Sequence, residues 1–176
     1  MSDNSDQRTS YPYFADITTR WMDNDIYGHV NNVVYYSYFD SVANKFLIEV
    51  GGLDIHSAEI IGFVVASNCQ YKSPIAYPDK IDAGLRVNKL GNSSVEYGIA
   101  IFKQGAETAS AVGTFTHVFV NRATDKSVAI PAQIRTALDN LLVWFYSNFS
   151  QPLVTTTWSN PAFGSVIRML LFLMAD

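Results

Sequence analysis

Between positions 20 and 32 the chain reads Arg-Trp-Met-Asp-Asn-Asp-Ile-Tyr-Gly-His-Val-Asn-Asn. Two carboxylates, one imidazole and several side-chain amides are gathered there around a single glycine. A carboxylate can take a proton from water or attack a carbonyl carbon itself. The first N–H groups of a helix have no partner within it and carry partial positive charge, so they stabilise an oxygen that is becoming negative. An acid delivered to the start of a helix therefore points to hydrolysis of a carbonyl compound. Each residue also has a plainer reading. Asp25 and Asp23 can cap backbone donors in a loop, and Asn31 and Asn32 can cap the helix. His29 has the right pKa range for a base, yet beside Gly28 its ring can equally brace the turn.

The elements that must position these residues follow from periodicity. Phe14 to Arg20, with Ile17, Thr18 and Thr19, reads as a first strand. From Asn32 to Glu49 the spacing becomes helical: Val34, Tyr35, Tyr38, Phe39, Val42, Ala43 and Phe46 share one face, while Ser37, Ser41, Lys45 and Glu49 form a polar ridge. Gly51-Gly52 is the expected stop. Ile60 to Tyr71, Lys80 to Leu90, Val95 to Lys103 and Thr108 to Val120 then carry strand chemistry, with turn signals at Gly91-Asn92 and Gly105. Two consecutive hairpins imply an antiparallel sheet. Pro131 to Trp144 reads as a C-terminal helix with proline in its first turn. The resulting class is α+β: a curved antiparallel sheet around one long helix. Such a sheet has two edges, and pairing one with a second copy covers it, so a homo-oligomer is expected.

Composition narrows the function. At 176 residues and 48% hydrophobic the chain fits one domain with a sizeable core. A net charge of −4 argues against nucleic-acid partners. Cys69 is the single cysteine, so no internal disulfide forms; with a polar N-terminus lacking a secretory pattern, the cytoplasm is the expected location. Val166 to Met174 is too short an apolar run to span a membrane. His56 and His117 are dispersed, HExxH is missing, and no zinc site is expected. The chain has no GxSxG elbow, Walker loop or dinucleotide fingerprint.

Arg20-Trp-x-Asp-x-Asp-x-x-Gly-His-Val-Asn-Asn-x-x-Tyr35 resembles the signature of the hotdog-fold thioesterases of the 4-hydroxybenzoyl-CoA thioesterase type, and the resemblance extends over approximately residues 12 to 140. It implies a hotdog domain over residues 13–146; the polar residues 1–12 ahead of it read as a flexible arm, and residues 147–176 form a tail of unassigned role with no counterpart in the family. It further implies hydrolysis of an acyl-CoA or acyl-carrier thioester, with Asp25 as general base or nucleophile and the Asn32 backbone N–H as oxyanion donor. Gly28, His29 and Asn31 become supporting residues. Trp21 and Tyr35 are candidates for the acyl pocket, and Arg86 and Arg122 for the phosphates of the carrier. The resemblance implies a homodimer or homotetramer with the site between subunits, no metal, and no cofactor beyond the substrate's own carrier. Two rivals stand beside it: a hotdog module that binds acyl thioesters without hydrolysing them, and a dehydratase on a related scaffold, whose paired His/Asp or His/Glu pattern is missing here.

Overall fold

A computed structural model describes residues 4–142 and, beyond them, the backbone of two short strands. Helix α1 (Asn32–Glu49) has the span expected from its periodicity. Tyr35, Tyr38, Phe39, Val42, Ala43, Phe46 and Leu47 are buried, whereas the ridge of Ser37, Ser41, Lys45 and Glu49 faces solvent. Asn31 caps the start, its side-chain oxygen accepting from the Val33 N–H at 3.2 Å. The helix ends where Gly52 turns to φ +70, which lets the Leu53 N–H reach back to the Leu47 carbonyl at 2.9 Å.

Five strands curl around this helix: β1 (Tyr13–Thr18), β2 (Ile60–Tyr71), β3 (Lys80–Leu90), β4 (Ser94–Lys103) and β5 (Ala111–Asn121). Every neighbouring pair is antiparallel, in the order β1-β3-β4-β5-β2. The two expected hairpins are β3–β4 and β4–β5. β2, although it precedes them, lies at the far edge beside β5. The inner face supplies Ile81, Ala83, Leu85, Val87, Val95, Tyr97, Ile99, Ile101, Phe115 and Phe119, which form one core with the buried face of α1. This is the hotdog arrangement of a sheet around a central helix.

Three expectations need correction. The stretch read as a mobile arm is held down from Asp6 onwards. The Arg8 N–H donates to the Glu107 carbonyl at 2.8 Å, and the Ala109 N–H donates to the Asp6 carbonyl at 2.8 Å. The Arg8 guanidinium pairs with Asp82 at 2.6 Å and lies 4.4 Å from the centre of the Phe14 ring. Tyr11 then packs with Ala100, Phe102, Ala109 and Val112 in a second core on the outer face of the sheet. The same contacts explain why β5 starts at Ala111 and not at Thr108: Thr108 pairs with Gln7. The C-terminal helix α2 (Ala132–Asp139) is also shorter than the expected 131–144. The chain leaves it to give the Leu141 carbonyl to the Val87 N–H of β3 at 2.8 Å. Residues 143 and 144 lie outside the described residues, as does most of the tail at 147–176. That tail belongs to a separate unit in which β6 (Trp158–Ser159) and β7 (Val166–Ile167) pair antiparallel.

His117 sits in the main core, 1% exposed, edge-on to Tyr97 and Phe115 at ring distances of 5.5 and 5.3 Å. Neither its Nδ1 nor the Tyr97 hydroxyl has a hydrogen-bond partner among the described residues. Burial disfavours the charged imidazolium and pushes the His117 pKa down to about 4. The unfolded chain therefore binds more protons than the folded one between pH about 6.5 and 4, and stability falls as pH falls through that window. Urea unfolding should show a loss of roughly 3 kcal/mol across it, and His117→Phe, which keeps the ring but cannot be protonated, should flatten that part of the profile. An unchanged slope in the variant would assign the loss to other groups.

Candidate active site

The loop ahead of α1 is a tight reversal built on Gly28. At φ +83 this residue occupies the left-handed region that a side chain disfavours. Its N–H donates to the Asp25 carbonyl at 3.1 Å, and the Asp25 N–H donates to the His29 carbonyl at 2.8 Å. The Asp25 carboxylate is fixed within that turn: Oδ1 accepts from the Tyr27 N–H at 2.8 Å and, at 3.4 Å, from the His29 N–H. No partner for Oδ2 is recorded among the described residues. The side chain is half-buried, and the His29 ring beside it is exposed.

Asp23 does different work. It is 1% exposed. Its carboxylate accepts from the Arg20 N–H at 2.8 Å, from Arg20 Nε at 3.0 Å and from the Tyr38 hydroxyl at 2.8 Å. Burial alone would raise its pKa; the bonds from Arg20 and Tyr38 outweigh that and hold the carboxyl below its ordinary value. Its backbone carbonyl accepts from the Asn31 N–H at 2.8 Å. Asp23 thus ties the loop to the first two turns of α1, with all its oxygens facing away from bulk water.

Asp25, His29, Val30, Asn32 and Tyr35 form one wall of a cleft of about 480 Å³. The Asn32 N–H, the first of α1, has no acceptor among the described residues, as the geometry of a helix start requires. A carboxylate and a free helix-terminal N–H therefore share one cleft. Together they can remove a proton from water and hold a developing oxyanion.

The opposite wall is Tyr71, Lys72, Ser73 and Pro74, at and just after the end of β2. Sequence reasoning did not find these four. Residues 73–77 are drawn against the loop by the Val30 N–H, which donates to the Ile75 carbonyl at 2.7 Å, and by the Tyr77 N–H, which donates to Asn24 Oδ1 at 3.0 Å. A Lys-Ser-Pro turn after an apolar strand is no signal of a site; the crossover of β2 to the sheet edge brings it there.

Three expected substrate contacts lie elsewhere in the chain. Trp21 is 78% exposed, outside the cleft lining, and edge-on to Tyr77 at 5.8 Å. Arg86 is only 5% exposed, bonded through Nε to Asn88 at 2.9 Å and 5.1 Å from the Tyr11 ring centre, so it is not a surface cation free to meet a phosphate. Arg122 lies near the far end of β2 from Tyr71 and donates to the Ile55 and His56 carbonyls at 2.6 and 3.0 Å. Tyr35 does line the cleft, though its ring is almost wholly buried beneath it.

Residues 19–138 match the family model of the thioesterase-like superfamily. The crystal structure of the PA5185 protein from Pseudomonas aeruginosa strain PAO1 is similar at a TM-score of 0.77 and 54% identity, covering 78% of this chain and 96% of that one. The long-chain acyl-CoA thioesterase FadM of Escherichia coli K12 is 26% identical over 121 residues, 67% of this chain and 90% of FadM. YsmA of Bacillus subtilis strain 168 is 22% identical over 88 residues; that match covers 50% of this chain and spans 59% of YsmA's length.

The Asp23 geometry carries a stability consequence. Because the folded-state pKa lies below the unfolded one, the stabilisation is complete above pH about 4 and fades as pH falls below it. Tyr38→Phe removes a buried donor to a carboxylate and should cost about 2 kcal/mol in urea unfolding at pH 7. The difference from wild type should shrink as the pH falls through the lowered pKa of the Asp23 carboxyl and the group takes up a proton. A difference that stays constant throughout the acid range would mean that packing, not the bond to Asp23, is lost.

Proposed function

Because the chain belongs to the thioesterase-like superfamily, we propose that it hydrolyses an acyl-CoA thioester to the free acid and CoA. The observation that carries this reading is the meeting of the Asp25 carboxylate and the unpaired Asn32 N–H in one cleft. The name of FadM, a long-chain acyl-CoA thioesterase, supports a CoA thioester as the substrate class. The match over residues 19–138 supports thioester hydrolysis, and the Arg20–Tyr35 motif is read as a site of the 4-hydroxybenzoyl-CoA thioesterase type.

In this mechanism the thioester carbonyl oxygen meets the Asn32 N–H, where the helix dipole favours negative charge. Asp25 removes the proton of an attacking water, or its free oxygen attacks the carbonyl carbon and water then cleaves the anhydride. The thiolate leaves and takes up a proton. Both routes use the same carboxylate. Gly28 and the Tyr27 N–H hold that carboxylate, Asn31 caps the helix through the Val33 N–H and leaves the Asn32 N–H free, and His29 lines the cleft. An acyl-carrier-protein thioester would present the same reacting group at this cleft.

β2 gives the assembly a physical basis. It is an edge strand of twelve residues, and Phe63, Val64 and Val65 on it are 42, 47 and 58% exposed. A long apolar edge invites pairing, and a second copy of the chain is the partner that satisfies it, forming a homodimer or a homotetramer of such pairs. The lone, half-buried Cys69 fits a reducing cytoplasm. No helix among the described residues is long and apolar enough to cross a membrane.

Two measurements test these statements. Thiol release should be measured on acyl-CoAs from short to long and aromatic. Asp25→Asn should lower kcat at least 100-fold, the low end of what a positioned base contributes, at about 10²- to 10⁴-fold, while the far-UV spectrum stays unchanged. A variant as fast as wild type removes Asp25 from the reaction, and background rates across the panel would favour a binding module or a carrier-protein substrate. Val65→Lys places a charge on the β2 edge and should yield monomers by light scattering; an intact oligomer would locate the interface elsewhere.

A further inference from the structure

Tyr71 closes β2 on the side facing α1, in register with Ala111. Its side chain is half exposed, yet its hydroxyl donates to the Asn32 carbonyl at 3.2 Å. Its ring stands edge-on to Tyr35 at 5.1 Å, and Tyr35 stands edge-on to Tyr38 at 6.1 Å. The Tyr38 hydroxyl in turn donates to the buried Asp23, whose backbone carbonyl holds the Asn31 N–H. Three tyrosines thus connect the two residues that flank one peptide unit. Asn31 is held from the Asp23 side and Asn32 from the β2 side, and the N–H between them is the free donor of the cleft.

Resting on the thioester-hydrolase reading above, we propose that Tyr71 is a positioning residue for the oxyanion donor: by tying the Asn32 carbonyl to the end of β2, its hydroxyl fixes the direction of the Asn32 N–H relative to the Asp25 carboxylate. The helix does not need this bond to form, because Asn31 already caps it. Tyr71 also sits at the sheet edge and outside the main core, so losing one oxygen leaves the packing between α1 and the sheet intact. Burial, and then the neighbouring Cys69 thiol, push the phenol up to about 12, so the hydroxyl stays protonated and remains a donor throughout the neutral range. A donor whose direction is set before the substrate arrives costs no reorganisation when charge develops, which is why such a bond acts on the transition state more than on binding.

The test is Tyr71→Phe in the full chain, with steady-state thiol release from the best acyl-CoA of the panel. Removing an oxyanion donor outright costs about 10²- to 10³-fold; loosening its direction should cost less, about 5- to 20-fold in kcat, with KM within about twofold of wild type. The melting temperature should not move, since the ring and its contact with Tyr35 remain. Tyr13→Phe, which removes a hydroxyl at the start of β1 against Phe46 and outside the cleft lining, should leave kcat and KM unchanged. An active wild type with an unaltered kcat in Tyr71→Phe overturns the role of Tyr71 alone, as does a rise in KM at constant kcat, because that marks a ground-state contact. An equal fall in Tyr13→Phe overturns it too. A wild type inert to every thioester overturns the functional reading first, and this role with it.

Discussion

Seven side chains on the broad buried face of α1, all but Ala43 large, must leave water, and a flat sheet can cover only one narrow stripe of a helix. The five strands therefore curl, and everything else in the molecule follows from how they do so. The residues that meet α1 come from the inner positions of β3, β4 and β5, spaced two apart, as a strand with one buried face requires. The outer face would then be left exposed over Ala100, Phe102 and Val112. The N-terminal segment covers it through Tyr11 and Phe14, with the Arg8–Asp82 pair holding it in place.

Wrapping the helix in this way also dictates where its first turn lies. The loop from Arg20 to Asn31 has to enter the helix at the open end of the curl, and Asp23 anchors it there by spending its whole carboxylate on Arg20 and Tyr38. Asp25, two residues on, stays half exposed and engages backbone N–H groups through one oxygen only. Two aspartates of the same loop thus receive opposite assignments from their surroundings. One is buried and committed to the fold. The other is left at the rim of a cleft with an oxygen free.

The strand order completes the cleft. Because β2 crosses to the edge beside β5, its last residues return to the loop from the opposite side, and Tyr71 reaches Asn32 across a gap that is long in sequence and short in space. The same crossover leaves β2 with an unpaired edge. One topological choice therefore builds both the second wall of the cleft and the surface on which a second copy is proposed to pair.

Periodicity and punctuation made much of this legible in advance. α1 was bounded at both ends by residues with local causes, an Asn cap and a glycine in the left-handed region, and its span followed. The strands were recognisable because alternation is a local property, and the Asp25–Gly28–Asn32 spacing placed an acid before a helix start for the same reason. Local chemistry could not say that Arg86 is buried beside Tyr11, that Trp21 faces outward, or that Thr108 is taken by Gln7. Nor could it join Tyr71 to Asn32. The sequence by itself determined which segments are helix and strand and which loop carries the acid, since those depend on neighbours within a few residues. Which side chains face one another across that loop was decided only by the tertiary structure, because it depends on strand order and curl, and these are set by burying one helix from many directions at once.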